Sequence, residues 1–269
     1  MLTLRARRHP SCRGANRSHW SRPKLNQRQR IRACVAVKLA TFSIAARAPE
    51  TGFFGTAVST KVPAVGSLCP FIRHNVGAVC TQAWVNPSLG PRILDQLEAG
   101  LSAKDALAAV MASEVDRDIR QVGVVDQAGR AAAFTGGATD AWTGHRTGEN
   151  YSVQGNMLVS AVTVDAMAGT FEASAGQDLA ERLMRVLEAG QAAGGDRRGR
   201  QSAALLVRGP EVYPLVDLRV DEHPDPVAEL RRVFEVAKRE LFPFIAALPS
   251  RAKPAGDFAR IRAAIAPKS

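Results

Sequence analysis

Thr41 opens the run Thr-Phe-Ser-Ile-Ala-Ala-Arg, which reads as a strand. A threonine hydroxyl at a chain terminus can act as a nucleophile with its own α-amine as general base, because that amine titrates near ~8. Lys61 follows directly after the next strand-like run, Phe54–Thr60. A hairpin returns such a lysine beside the start of the first strand, where its charge favours a deprotonated nucleophile. Ser59 stands two positions before it, on the same strand face as Lys61. Asn86, in Trp-Val-Asn-Pro, and Asn156, in Gln-Gly-Asn, read as turn residues whose side-chain amides can donate to an oxyanion. His145, in Gly-His-Arg, is a candidate base in a loop. The segment Gly-Gly-Asp-Arg-Arg-Gly-Arg over 194–200 combines glycines, which let backbone N–H groups approach a ligand, with Asp196, Arg197, Arg198 and Arg200. We expect it to face the site and bring a guanidinium to an anionic group. Each of these residues also has an ordinary structural use: strand former, turn cap, or solvated charge. No P-loop, GxSxG, HExxH or CxxC motif occurs.

The elements that must position these groups are legible in outline. Thr41–Arg47 and Phe54–Thr60 flank Pro-Glu-Thr-Gly and form a hairpin. Val76–Ala83 is a third strand. Pro91–Gly100 and Ser102–Ser113 read as helices, the second with Ser102 and Asp105 in a capping pattern. Gln121–Asp126 and Arg130–Thr135 make a second hairpin around Gln-Ala-Gly. Gly136–Gly155 reads as a polar, glycine-rich stretch. Helices follow over Ala161–Ala173 and Asp178–Ala189, the latter with Leu179, Leu183, Val186 and Leu187 on one face. Ser202–Val207 and Val212–Val220 are strands, and Asp225-Pro226 starts a long helix with Asp225 at the N-cap. Residues 249–269 are a polar tail with room for one short helix. Strands in hairpins and helices in blocks argue for an α+β layered fold rather than a doubly wound parallel sheet. No internal repeat is present.

The 269 residues carry a formal net charge of +11, and its distribution matters more than its size. Residues 1–40 contain 11 Lys and Arg and no acidic residue, leaving 25 basic and 25 acidic residues in 41–269. The basic character therefore belongs to the N-terminal segment, and nucleic-acid binding is not expected of 41–269. That segment suits a basic arm, a transit peptide, or a start set too far upstream, and is expected to be disordered alone. The run Ala33–Val37 is too short for a secretory signal. The longest charge-free stretch, 74–91, contains His74, Asn75, Gln82, Asn86 and Pro87 and does not suit a bilayer span. Cys12, Cys34, Cys69 and Cys80 have no metal-site spacing, so reduced thiols are expected, with neither disulfide framework nor metal.

The segments TFSIAARAPETG, STKVPAVGSLCPF, NVGAVCTQAWVNPSLGP, RQVGVVDQAGRAAAFTG, GHRTGENYSVQGNML and AGGDRRGRQSAALLV, in this order from Thr41 to about Pro226, resemble the domain of unknown function 1028 family. Its members are mostly bacterial and are placed with the Ntn hydrolases. The resemblance implies a four-layer αββα sandwich of two antiparallel sheets. It also implies Thr41 as nucleophile and base, Lys61 as the group lowering its pKa, and an amide donor as oxyanion hole. Relatives often begin Met-Thr-Phe-Ser, whereas here Ala40 precedes Thr41. Inside an intact chain the Thr41 nitrogen is an amide, so this route needs cleavage after Ala40.

The expected organisation is a leader over 1–40, an Ntn-hydrolase-like domain over 41–222, and a helix and tail over 223–269. The leading functional reading is an amide-bond hydrolase with a Thr nucleophile and an unassigned substrate. The alternative is a non-catalytic protein of the same fold that binds a ligand or partner. Nucleic-acid binding through 1–40 is a third reading. The expected setting is cytoplasmic, with no cofactor, no membrane association, a small-molecule or peptide-like substrate, and self-association into a homo-oligomer left open.

Overall fold

The computed structural model describes residues 41–140 and 142–265. The readings made for 1–40 lie outside these residues. Strand β1 (Thr41–Arg47) and β2 (Phe54–Thr60) form the expected hairpin, with Thr41 opposite Thr60 and Arg47 opposite Phe54. They sit at the centre of a six-stranded antiparallel sheet. Its other members are β7 (Gly144–Gly148), β8 (Tyr151–Asn156), β9 (Ser202–Arg208) and β10 (Val216–Val220), in the order β10-β9-β2-β1-β8-β7. The second sheet is β3 (Pro70–Arg73), β4 (Gly77–Ala83), β5 (Arg120–Asp126) and β6 (Ala131–Thr135).

Alternation along each strand sends one set of side chains to a helix layer and the other to the facing sheet. Phe42, Ile44 and Ala46 face helices α3 (Val162–Ala173) and α4 (Leu179–Ala192), joining Met167, Phe171, Leu183 and Leu187 in the largest apolar cluster. Val79, Val122 and Val124 face α1 (Leu89–Glu98) and α2 (Ala103–Ala112) on the other side. Helices cover both outer faces, and the protein is a four-layer αββα sandwich, as expected. The capping serine is also where the sequence puts it: Ser102 Oγ accepts the Asp105 N–H at 3.2 Å.

The last long helix, α5 (Pro226–Glu240), buries Val227, Leu230, Phe234 and Ala237 in the same cluster as the six-stranded sheet. Residues from 226 onward thus complete the domain core. Pro226 is the first helical residue, but the Asp225 side chain caps no N–H and instead pairs with Arg200 at 3.0 Å. Two short helices, α6 (Phe242–Ile245) and α7 (Phe258–Ile265), follow.

Four strands differ from the sequence reading. Val212–Val220 is shortened to Val216–Val220, because Pro214 lacks a donor for the ladder. The edge strand β3 begins with a proline and is only four residues long. Most consequentially, the polar stretch Gly136–Gly155 contains β7 and most of β8. Tyr151 and Val153 face the helices, while Ser152, Gln154 and Asn156 are buried toward the other sheet. A strand buried on both faces, one of them polar, does not show the usual apolar signal.

The sheets approach closely at Gly123. A Cβ there would lie 1.9 Å from Gln154 Oε1 and 2.7 Å from Ser152 Oγ. Both atoms are committed to each other by a 2.8 Å hydrogen bond. Gly123→Ala is therefore expected to cost about 2 kcal/mol, read as a lowered urea midpoint with an unchanged slope. An unshifted midpoint would show that the sheets separate freely.

Candidate functional site

The space between the sheets is apolar at one end and polar at the other. Ala45, Phe54, Val58, Cys80 and Val125 fill the apolar part. At the end where β1 begins, the layer contains Thr41, Ser43, Thr60, Gln82, Gln121, Gln154 and Asn156, each no more than 4 % exposed. Buried amides need partners, and here they form a directional chain. Gln121 Nε2 donates to Gly155 O at 2.9 Å and Gly144 O at 3.1 Å, which fixes its Oε1 as an acceptor. That oxygen receives Gln82 Nε2 at 2.7 Å and Asn156 Nδ2 at 3.1 Å. Gln82 Nε2 also donates to Thr41 O at 3.3 Å, and Gln82 Oε1 accepts Ser43 Oγ at 2.6 Å. Gln154 Nε2 donates to Ser43 Oγ at 2.6 Å.

Thr41 stands at the mouth of this chain. Its Oγ1 is 3.0 Å from Thr60 Oγ1, and its backbone is opposite Thr60 on one side and Asn156 on the other. A cavity of about 30 Å³ opens against it, lined by Thr60, Val65, Cys69, Gln82 and Ala83 among others. Three non-glycine residues here have left-handed backbone: Ala64 (φ 55°), Ala83 (φ 66°) and Met157 (φ 49°). Ala83 follows Gln82 and Met157 follows Asn156, so each bends the chain sharply just past a site side chain. Such conformations cost about 1–3 kcal/mol each and collect at functional sites.

Lys61 makes no hydrogen bond to the Thr41 hydroxyl. Its Nζ donates to Arg200 O at 3.1 Å and its N–H to Asp196 Oδ2 at 2.9 Å. The antiparallel register puts Thr60, one residue earlier, on the face of Thr41. Ser59 lies opposite Phe42 and faces the helix layer, away from Thr41. Strand alternation separates Ser59 from the nucleophile's face, and Lys61 lies one residue past the end of β2. The loop 194–200 does lie at the Thr41 end of the sheet: Gln201 N–H donates to Thr60 O and Arg197 N–H to Met157 O. Asp196 is buried and tied to Arg198 and the Lys61 backbone, so it organises the loop. Arg197 is exposed, and Arg200 is paired with Asp225.

Asn86 is a turn residue: its Oδ1 accepts the Ser88 N–H, and its Nδ2 donates to Glu114 at 3.1 Å. Asn156 belongs to β8 rather than to a turn. Its Nδ2 is aimed at Gln121, and its buried Oδ1 has no partner among the described residues. Thr60, Gln82, Gln121 and Gln154 are site residues that sequence reasoning missed. The available signal was a single glutamine in each of β4, β5 and β8.

His145 lies on edge strand β7, with Nδ1 2.8 Å from Thr135 Oγ1. Although His145 is exposed on the edge strand, partial desolvation of its ring lowers its pKa from the usual 6.5. As pH falls, the unfolded chain is protonated first. The contribution of His145 to stability is therefore present above pH 6.5 and lost below it. Melting temperature is expected to fall more steeply between about pH 8 and about pH 5 in the parent than in His145→Gln. Parallel slopes would remove His145 from the linkage.

Cys69 and Cys80 are buried free thiols, and a hydrogen bond to Cys80 together with burial pushes the Cys69 thiol upward. Among the described residues no three His, Cys, Asp or Glu side chains are grouped to hold a metal ion. No described helix is long and apolar enough to cross a membrane.

The fold and site define an α+β sandwich with a threonine at the start of a central strand. A family model described as a family of unknown function, DUF1028, matches residues 41–230, and the chain belongs to that family. The protein SPO2555 from Silicibacter pomeroyi, described as DUF1028, is 33% identical with a TM-score of 0.74, over 81% of this chain and 95% of that one. Anbu (ancestral beta-subunit) from Yersinia bercovieri is 11% identical with a TM-score of 0.34, over 78% of this chain and 98% of that one. No functionally curated protein matches the chain.

Proposed function

We propose that the protein is an N-terminal-nucleophile amide-bond hydrolase, active once the bond between Ala40 and Thr41 is cut. The observation that carries this reading is the Thr41 hydroxyl, 3.0 Å from Thr60 Oγ1 at the open end of the polar layer. The freed α-amine takes the hydroxyl proton as Thr41 Oγ1 attacks the substrate carbonyl. The same proton then passes to the leaving amine, which departs with the acyl group held as a threonine ester. Water attacks that ester, returns a proton through the amine, and releases the acid. Thr60 orients the nucleophile, and Lys61 acts through its bond to the loop that ends at Arg200. The substrate is a small-molecule or peptide-like amide.

An intact bond at Ala40 favours the second reading, a non-catalytic binder, because an amide nitrogen is no base. The deciding experiment places a factor Xa site before Thr41 in the full chain (Val37→Ile, Lys38→Glu, Leu39→Gly, Ala40→Arg) and cuts the folded protein. Hydrolysis of a panel of acyl-amide reporters is expected only after the cut. A cut chain that binds a reporter without turnover supports the binder.

A further inference from the structure

Asn156 holds the one buried acceptor of the amide chain with no partner among the described residues. Its orientation is not free. Gln121 Nε2 faces two backbone carbonyls, which can only accept, so Gln121 Oε1 must receive hydrogens, and Asn156 supplies one through Nδ2. Rotating the Asn156 amide would set two oxygens against each other. Its Oδ1 is thereby presented with nothing to accept, which is unfavourable for a buried acceptor. The residue directly across the sheet is Thr41.

We infer that the Asn156 carboxamide oxygen is the docking acceptor for the terminal amine of Thr41. Cutting after Ala40 turns a nitrogen with one hydrogen into one with up to three. The new hydrogens are the donors that the Asn156 oxygen lacks. Asn156 is thus a positioning residue. It holds the amine so that its lone pair, once deprotonated, is turned to the Thr41 hydroxyl. This rests on the proposed function, in which the amine is the base. The opposing strand positions and the facing sheet contribute Thr60 and Gln82, neither of which titrates. The titratable groups at the same end are otherwise engaged: Cys69 beside Cys80, Asp196 with Arg198, and Lys61 with the Arg200 carbonyl.

The test measures the amine itself. The full chain with the factor Xa site is folded, cut, and pulsed with isotope-coded formaldehyde and cyanoborohydride across a pH series. Mass spectrometry of the peptide beginning at Thr41 gives the pH of half-maximal labelling. An accepting oxygen favours the charged amine, so Asn156→Leu is expected to lower that pH by about one unit, a roughly tenfold rise in reactivity at neutral pH. Asn156→Ala, which removes the same oxygen with no added bulk, is expected to lower it likewise. Should Asn156→Leu fail to fold, Asn156→Ala decides alone. An unchanged midpoint in the variant that folds overturns the inference. That result is separable from failure of the hydrolase reading, which is judged by turnover and not by labelling.

Discussion

Thr41→Ala in the cut chain is expected to lower amide hydrolysis by about a thousandfold or more while the protein stays folded. In the proposed mechanism the Thr41 hydroxyl, at the start of β1, forms the ester. Its removal takes one hydrogen bond to Thr60, worth about 1 kcal/mol. Thr41→Ser keeps a hydroxyl on the same backbone and should retain measurable turnover. Two neighbours separate the expected mechanism from the one the residue spacing alone suggests. Thr60→Val removes the group 3.0 Å from Thr41 Oγ1 and should slow hydrolysis more than Lys61→Ala, whose ammonium is bonded to Arg200 O. Combined with Thr41→Ala, neither should add a further loss, because residues acting as a unit are not additive. Parental turnover in Thr41→Ala would end the nucleophile assignment. A larger loss in Lys61→Ala than in Thr60→Val would return the lysine to the hydroxyl.

The largest effect on stability is expected from Gln121→Leu. The carboxamide joins both sheets: it donates to Gly155 O and Gly144 O on one, and accepts Gln82 from its own and Asn156 from the other. Leucine fills similar space but takes the acceptor from the buried Asn156 Nδ2 and one partner each from Gln82 Nε2, which keeps Thr41 O, and Gly155 O, which keeps Thr143 Oγ1. Each loss costs about 1–3 kcal/mol, and some find each other, so a net loss of about 4 kcal/mol is expected. For a domain of this size that is a drop of about 10 °C in Tm. Calorimetry of parent and variant at one pH reads it directly. A drop of less than about 2 °C would mean that the polar layer is wetter and looser than its hydrogen bonds indicate.

The sequence by itself determined the architecture and several local facts. Hydrophobic alternation and turn residues placed β1, β2, β5 and β6 within a residue of their bounds, and the pattern of Leu179, Leu183, Val186 and Leu187 placed α4. Ser102 announced its cap, and the ordered segments from Thr41 onward carried the family. These are short-range properties, decided by neighbours in the chain. It also determined Thr41 as the residue with which the domain's first strand begins.

Tertiary structure decided who stands beside Thr41. The hairpin's length brings both Thr60 and Lys61 near the start of β1, and only the register, Thr41 opposite Thr60, selects between them. A shift of one residue exchanges the faces. β8 escaped notice because its Ser152, Gln154 and Asn156 look like loop residues until a second sheet buries and pairs them. The isolated glutamines of β4, β5 and β8 are far apart in sequence. They become one hydrogen-bonded layer only when two sheets pack face to face, since a buried amide's partners are chosen by packing and not by proximity along the chain.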